Sequence, residues 1–368
     1  MKKDRSIFEC HPLEKSRVIF QLGSADPDLA VQAARMVQDD VAGIGLNCGC
    51  PKPFSISGGM GAALMHVPDK LCAVSLSLAP RNREFVRGNS ANVTHSCFPP
   101  PQILRALVAN IPLPIDVKTR MFADQAPTLE FVSKLLDTGV SNLTMHCRTQ
   151  SMRSSEPALL DRLAEITALG KARGIPVVAN GDCVEAADFD RVCELTGVSS
   201  IMVARGAEAN PSCFRKEGML DPISVIAPLY VKLAVATGNH FHNTKYCLGA
   251  MDPSRGVDPA GPGLTKAVRG AFKLGINKSK TLEDIAKAVG VDFAEAKKYE
   301  GRLEELVPAW AARAKAIEAG EGGDAGAAEA VEARVEVVEA PSEKVGEAHP
   351  ELAALAEGKT VEDPPVSD

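Results

Sequence analysis

The feature that most constrains the fold is a regular alternation between short apolar runs and longer stretches with helical periodicity. Six apolar runs occur, namely RVIFQLG (17–23), VAGIGLNCGCP (41–51), PIDVKTR (114–120), SNLTMHCRT (141–149), IPVVANGD (175–182) and SSIMVARG (199–206). They read as apolar on both faces, as buried parallel strands do. The stretches 127–139 and 157–174 between them end in glycine, which favours a helix C-terminus. The pattern predicts an α/β fold with helices covering a parallel sheet.

The residues that end these strands favour a barrel over an open doubly wound sheet. All six strands end in polar or chemically active residues, which are Gln21, Asn47, Lys118 with Arg120, His146 with Arg148, Asn180 with Asp182, and Ala204 with Arg205. A (β/α)8 barrel builds its site from the carboxyl ends of many strands, whereas an open sheet uses one switch point. Because a complete barrel has eight strands, we predict a TIM-barrel type fold that is two strands short.

After residue 210 the pattern becomes all-helical, with helical spacing over 222–238, 266–275, 281–290 and 293–320. We predict a partial barrel over 1–210, a small helical domain over 211–314 and a disordered acidic tail over 315–368. From residue 316 onward the tail has 14 acidic and 3 basic residues, while the whole chain has a net charge of −6. The rest of the chain is therefore mildly basic, which permits a polyanionic partner without requiring one.

One segment, 73–101, does not fit the pattern. It interrupts what reads as a single helix, and it holds one acidic residue, three arginines and four prolines without a clear period. A structureless insert of this length is unusual inside a compact barrel. Our hypothesis is a retained intron, because the end of the segment, CFPPPQ, is what a pyrimidine-rich stretch followed by CAG would encode. A genuine surface loop is the alternative.

The composition also bounds the compartment and the partners. The ten cysteines are scattered singly apart from one pair. The N-terminus has no apolar leader, and no apolar run reaches membrane-spanning length. We therefore expect reduced thiols in a cytosolic or nuclear compartment, no membrane partner, and a monomer.

The closely spaced pair, Cys48 and Cys50, raises four possibilities. A metal site needs further ligands at suitable spacing, but Cys72 and Cys97 lie in unpatterned surroundings and His66 is alone. A redox pair is usually Cys-x-x-Cys, and a Walker loop needs Gly-Lys-Ser/Thr. What remains is a thiol at a strand end, held by a Gly-Cys-Pro turn. We assign that role to Cys50, and we expect Cys48 to lie deeper on the same side as a packed neighbour.

These residues carry a family resemblance. The sequence N-x-G-C-P followed by GGMGAAL resembles the signature of the tRNA-dihydrouridine synthases, which are flavin-dependent (β/α)8 enzymes. The runs VIFQLG, VKTR, MHCR, VVANGD and IMVARGAEANPSCF follow in the family's order, and NTKYCL (243–248) resembles the eukaryotic branch that acts on position 20 of the tRNA D-loop. The resemblance covers roughly residues 7 to 300 without the insert. It implies a chain that is truncated at its N-terminus and lacks the first two strands of the barrel.

The resemblance also implies roles. Cys50 would be the general acid that protonates C5 of a uridine, with FMN and NADPH as cofactors and tRNA as partner. Lys118 and His146 would contact the flavin ring and its ribityl region, and Gln21 and Asn47 would hydrogen-bond the ring or orient the uracil. The residues that would hold the FMN phosphate and line its approach are Asn180, Gly181, Asp182, Ala204 and Arg205.

Residue chemistry agrees with several of these roles. Lys118 ends an apolar strand, where a buried charge without a partner would be costly. Arg120 and Arg148 lie where a barrel's top face could grip RNA phosphates. Residues 264–280 contain no acid, and three of their cations share one helix face by spacing, which are Lys266, Arg269 and Lys273. A solvated surface face is the plain alternative for these three.

Two other function classes stay open. One is a flavin enzyme that reduces free pyrimidines, which also places a cysteine acid over FMN. The helical domain with NTKYCL argues against it, because a free base needs no such domain. The other is a non-catalytic RNA-binding or scaffold derivative of the family. The missing strands favour it, whereas the intact Cys50, Lys118, His146 and Arg205 argue against it.

Overall fold

The structure is a computed structural model that describes residues 8–66, 100–255 and 265–306. The chain divides into two compact units, the first made of 1–183 with 187–203 and the second of 184–186 with 204–368. This division falls a few residues before the expected boundary at 210. Apart from its last two residues, the segment 73–101 lies outside the described residues, as does the acidic tail from 315 onward.

The first unit contains a parallel sheet of six strands. They are β1 (Ile19–Leu22), β2 (Gly43–Cys48), β3 (Ile115–Met121), β4 (Asn142–Thr149), β5 (Val177–Asn180) and β6 (Ser200–Met202). Each strand pairs with its neighbour in sequence, so the order β1 to β6 has no reversal. An open doubly wound sheet would show such a reversal at its switch point. The sequential order confirms the TIM-barrel type prediction.

Helices connect the strands, and most of them bury apolar residues against one face of this sheet. They are α1 (Pro27–Val37), α2 (Pro53–Ser57), α3 (Pro100–Asn110), α4 (Gln125–Leu136), α5 (Leu163–Lys171) and α6 (Asp188–Thr196), with 3-10 turns at Pro12–Glu14, Gln38–Asp40, Gly61–His66 and Leu160–Arg162. The glycines expected after α4 and α5 are Gly139 and Gly174, and both have positive φ. Fully buried side chains such as Leu46, Val117 and Met145 fill the core under the helices.

The opposite face of the sheet is polar toward its carboxyl end. This differs from the expectation that the strands are apolar on both faces. Strand residues alternate between faces, and in β3 the half-buried Lys118 and Arg120 alternate with the buried Val117, Thr119 and Met121. We call the face that carries Lys118 the inner face. The sequence did not reveal this alternation, because the polar residues occur only at the carboxyl end of each short apolar run.

The second unit is helical. Its elements are α7 (Arg205–Ala209), a 3-10 turn (Pro211–Phe214), a π-helical turn (Pro222–Ile226), α8 (Ala227–Ala236), α9 (Phe241–Ala250), α10 (Lys266–Lys278), α11 (Leu282–Ala288), α12 (Phe293–Lys297) and α13 (Leu303–Leu306). Its core includes Val231, Phe272 and Ile285. The helical run expected from 293 onward is interrupted between α12 and α13, where Gly301 has a φ of 76°. Within the described part of the chain, no helix is long and apolar enough to cross a membrane.

Candidate active site

The strand register brings most of the predicted site residues to one face. Asn47 pairs with Lys118, Arg120 pairs with His146, and His146 pairs with Asn180. Gln21 pairs with Gly45, which lies two residues before Asn47 on the same face. Residues paired across parallel strands share a face, so the inner face carries Gln21, Asn47, Lys118, Arg120, His146 and Asn180. The sequence predicted this grouping.

The Cys50 turn is fixed by the side chain of Asn47. The backbone N–H groups of Gly49 and Cys50 both donate to Asn47 Oδ1, at 2.9 and 3.0 Å. Two N–H donors on one atom identify that atom as the amide oxygen. Asn47 therefore caps the turn through its oxygen, and its Nδ2 group has no hydrogen-bond partner among the described residues. Cys50 is partly exposed just beyond the end of β2.

The glycine segment behind the turn supports Cys50 by close approach. The Ala62 N–H donates to the Cys50 carbonyl oxygen at 2.9 Å. Gly61 has a φ of 59°, and a Cβ there would overlap Ser55 Oγ and lie 2.7 Å from the Cys50 oxygen. Only glycine fits this position without displacing the Cys50 turn. No local signal in the GGMG sequence reveals this contact.

We expect Gly61→Ala to displace the turn, and Gly174→Ala supplies the matched control. Gly174 has a similar φ of 68°, but nothing lies within 4 Å of its Cβ position. The control should lose about 1 kcal/mol of unfolding free energy from left-handed strain alone. Gly61→Ala should lose at least about 1 kcal/mol more because of the steric overlap. Urea unfolding measures both losses, and equal losses would contradict the proposed contact.

Arg120 holds the same turn from β3. Its Nε donates to the Gly49 carbonyl oxygen at 2.8 Å, and its Nη1 donates to the Thr149 carbonyl oxygen at 2.9 Å. The guanidinium therefore joins the ends of β2 and β4 above the inner face. The sequence predicted an RNA contact for Arg120, and this stays a prediction; in the structure, Nε and Nη1 bind the two carbonyl oxygens. Gly49 lies 71 positions away in sequence, so no local signal marks this pair.

The two cysteines occupy different environments, which corrects the expectation that they share a side. Cys48 is the last residue of β2 and is fully buried in the apolar core. It neighbours Asn47 in the strand, so it lies on the helix-covered face. Burial raises the pKa of the Cys48 thiol far above its usual range. The core role expected for Cys48 fits this placement.

Lys118 and His146 form the electrostatic centre of the inner face. Burial, reinforced by the charge of Arg120, lowers the pKa of Lys118. Burial, followed by the positive charges of Arg120, Lys118 and Arg148, lowers the pKa of His146 from 6.5 to about 3. His146 is therefore neutral at physiological pH. Among the described residues, neither the Lys118 ammonium nor the His146 imidazole has a hydrogen-bond partner.

The neutral state of His146 predicts a pH dependence of stability. The unfolded chain binds a proton on this histidine below about pH 6.5, whereas the folded chain accepts it only near pH 3. Stability therefore falls as the pH drops from 6.5 toward 3. His146→Gln should flatten this fall, since a tenfold difference in proton affinity between the folded and unfolded chain corresponds to about 1.4 kcal/mol. Urea unfolding at several pH values tests this, and parallel profiles for the two proteins would contradict it.

Arg148 and the partly exposed Asp182 form an ion pair in which the arginine is buried, and this pair corrects two expectations. Arg148 is 3% exposed and donates to Asp182 Oδ1 and, at 2.8 Å, to the Glu156 carbonyl oxygen. Asp182 Oδ2 accepts the Ala158 N–H at 2.6 Å. Arg148 is thus too buried to grip RNA, and the Asp182 carboxylate fixes the loop after β4 instead of holding a phosphate, which it would repel.

The remaining predicted phosphate ligands divide between the two units. The Asn180 Nδ2 group donates to the Met202 carbonyl oxygen at 2.9 Å and so joins β5 to β6. Gly181 has a φ of 133°, and its Cβ position is 3.0 Å from the Ala158 Cβ. Ala204 and Arg205 belong to the second unit, where Arg205 begins α7. Their role as phosphate ligands stays a prediction.

The predicted basic stripe lies on α10. The helix buries Val268, Phe272 and Ile276, so Lys266, Arg269 and Lys273 lie away from that face. Lys266 and Lys273 are exposed, and Arg269 is partly exposed. Lys245 of the NTKYCL motif donates through Nζ to the carbonyl oxygens of Asn277 and Ser279, at 2.7 and 2.8 Å. Lys245 therefore caps the carboxyl end of the basic helix, a role that the sequence did not reveal.

The described ranges contain no group of three or more His, Cys, Asp or Glu side chains that could hold a metal ion. Cys50 is instead surrounded by a capping amide, a guanidinium and a half-buried lysine. This geometry suits a thiol that gives or takes a proton.

Fold and site together define an α/β protein of the TIM-barrel class with a cysteine-centred site at the carboxyl ends of its strands. The model of the dihydrouridine synthase (Dus) family matches residues 1–78 and 101–296. The match covers well over half of the chain, and the chain belongs to this family. The two matched parts leave 79–100 unmatched, inside the segment that does not fit the strand–helix pattern.

Two fungal relatives are similar over most of the chain. A tRNA-dihydrouridine(20) synthase [NAD(P)+] of Schizosaccharomyces pombe is 37% identical over 298 residues, which is 79% of this chain and 53% of that protein. A tRNA-dihydrouridine(20) synthase [NAD(P)+] of Saccharomyces cerevisiae is 35% identical over 264 residues, which is 68% of this chain and 61% of that protein. The chain thus spans between half and two thirds of the length of these relatives.

Proposed function

We propose that this protein reduces a uridine of the tRNA D-loop, at position 20, to 5,6-dihydrouridine, with FMN as cofactor and NADPH as reductant. One observation carries the proposal. Asn47, Gly61 and Arg120 together hold the Cys50 turn at the strand ends beside Lys118 and His146. Family membership and the activities for which the two fungal relatives are named support the same reaction.

The inner face fits a flavin. A half-buried ammonium and a half-buried imidazole without hydrogen-bond partners among the described residues are costly, and a ring rich in nitrogen and oxygen atoms would satisfy both. In front of Gly45 on β2, the side chains of Asp116 and Ile19 lie 3.3 and 3.6 Å from the Cβ position. The amino half of this face is therefore filled, and a ring would lie toward the carboxyl ends, near Asn47 and Lys118. When bound, FMN would supply hydride transfer from NADPH to C6 of the uracil.

Each residue then has a definite task. Lys118 would lie against the bound ring and supply a positive charge there. The neutral His146 contributes a hydrogen bond rather than a charge, which refines its expected role. Gln21 on β1 and the Nδ2 group of Asn47 remain available to orient the ring or the uracil.

Cys50 completes the reduction. Hydride addition at C6 leaves an electron pair at C5, and the Cys50 thiol gives its proton to that carbon. A new C–H bond forms as the S–H bond breaks, and the thiolate regains its proton from solvent. A thiol is suited to this step because it is protonated at neutral pH and transfers its proton readily. The uridine must leave its stack to reach this site.

Flavin uptake tests the proposal. The purified full chain is incubated with FMN, separated from free FMN, and examined for visible absorbance and for NADPH oxidation. We expect a yellow protein whose flavin is bleached by NADPH. A chain that stays colourless with excess FMN would contradict the proposed function.

We expect the stripe on α10 to bind tRNA through phosphate contacts. Replacing Lys266, Arg269 and Lys273 by glutamine should reduce the slope of log Kd against log salt by about 2 to 3, because each phosphate contact contributes about 0.7 to 0.9. Filter binding at several salt concentrations measures the slope. The control replaces three exposed lysines of the second unit by glutamine, namely Lys232, Lys287 and Lys297. Equal slopes for the two triple variants would assign the effect to net charge alone.

A further inference from the structure

A cavity of about 380 Å³ lies at the carboxyl-end rim of the sheet, next to the Cys50 turn. Its lining comes from the residues that follow β2, β3 and β4 and from the end of the 3-10 turn Gly61–His66, and it includes Pro51, His66, Phe122, Gln150 and Ser151. None of the inner-face residues lines it. The cavity is therefore distinct from the site proposed for the flavin.

The walls of the cavity are held in place. The Phe122 ring makes edge-to-face contacts with His66 and Phe131, at centroid distances of 5.7 and 5.5 Å. His66 Nε2 lies 2.9 Å from Gln150 Oε1. In the neutral imidazole this contact requires a proton on Nε2, which leaves His66 Nδ1 as an acceptor and the Gln150 amide group as a donor. The cavity thus combines an aromatic wall with a neighbouring donor and acceptor.

The residues that line the cavity suit a neutral ring as the ligand. It contains no Asp, Glu, Lys or Arg among the described residues, so it offers neither a cation for a phosphate nor an anion for an ammonium group. An aromatic wall with a donor and an acceptor suits the edge and face of a nucleobase. Pro51 directly follows Cys50, so a nucleotide bonded to the target uridine must pass close to this rim.

We propose that this cavity binds the nucleobase of a nucleotide that flanks the target uridine in tRNA. The inference rests on the proposed function, because it assumes that the target uracil lies at Cys50. Binding in the cavity would hold the strand on one side of the extruded uridine and so fix its register over the site. Stacking of one base typically changes affinity by about tenfold.

Filling the cavity tests the proposal. Ser151 is exposed directly after β4, and Ser151→Trp would occupy the space beside it. Ser141→Trp is the matched control, since Ser141 is an exposed serine directly before the same strand, at the opposite end of the sheet. The affinity for an unmodified tRNA transcript is measured by fluorescence anisotropy. The same transcript is also tested with an abasic residue on either side of the target uridine.

The wild type and Ser141→Trp should lose affinity about tenfold for one of the two abasic transcripts. Ser151→Trp should bind the intact transcript about tenfold more weakly than the wild type does. Its affinity should not fall further with either abasic transcript. Equal affinity of the two tryptophan variants for intact tRNA would overturn the proposal, as would a Ser151→Trp variant that raises only the KM for NADPH. These binding measurements contain neither FMN nor reductant, so they do not depend on the reaction. If the proposed function is wrong, the protein would form no dihydrouridine even though its tRNA affinities follow the expected pattern.

Discussion

Cys50→Ala is expected to lower the rate of dihydrouridine formation by about 10² to 10⁴-fold, the range that a positioned general acid contributes. Flavin binding and NADPH oxidation should remain, because Lys118 and His146 are unchanged and alanine keeps the backbone contacts of the turn. Three of those contacts use backbone atoms of Gly49 and Cys50. Single-turnover assays with unmodified tRNA, followed by mass spectrometry of the nucleosides, measure the loss.

Cys48→Ala is the matched control for this substitution. Cys48 is fully buried, so its loss should cost on the order of 1 kcal/mol of unfolding free energy. The reaction rate should stay within a few-fold of the wild type. If Cys48→Ala abolishes product and Cys50→Ala does not, the assignment of the acid is wrong.

Arg120→Lys is expected to lower kcat by about 10²-fold, since a misplacement of about 1 Å at a reacting group costs that much. Lysine keeps the positive charge, but its single ammonium cannot replace two planar donors aimed at the Gly49 and Thr149 carbonyl oxygens. The affinity for tRNA should stay within twofold of the wild type. Steady-state assays and tRNA binding separate the two effects.

Arg173→Lys is the comparison for Arg120. Arg173 also makes side-chain hydrogen bonds, at 2.8 Å to Asp137 and 2.6 Å to Ser133, but it lies in the turn before β5 at the other end of the strand. It should leave kcat unchanged. If Arg120 contacts RNA, Arg120→Lys would instead fail only in RNA binding. Weaker tRNA binding and a smaller salt slope with unchanged kcat would therefore contradict the positioning role and favour the RNA contact that the sequence suggested.

The sequence predicted those features whose signals are local. Each strand lies in a short apolar run that carries a polar residue at or close to its carboxyl end. The strands and the polar rim therefore followed from a few adjacent positions. Cys50 was identifiable because proline and glycine mark a turn directly after β2. Lys118 and His146 stood out because a charged or titratable group at the end of an apolar strand needs a partner.

The sequence failed where function depends on partners far apart in the chain. Arg148 looked like an RNA ligand, but the register of β4 against β5 carries it to Asp182, 34 positions away. The sequence also placed Cys48 on the same side as Cys50. The correct face depends on where β2 ends, and the end of a strand cannot be predicted from its periodicity. The cavity beside Pro51 is formed by three loops, and no single loop contains its pattern.

The most direct test of the central claim is the dihydrouridine content of an unmodified tRNA transcript after incubation with the purified full chain, FMN and NADPH. Nucleoside mass spectrometry gives the amount, and fragment mapping gives the position. The proposed function predicts dihydrouridine at position 20 and at no other uridine. A chain that binds FMN and oxidises NADPH, yet leaves every uridine unchanged, would contradict it.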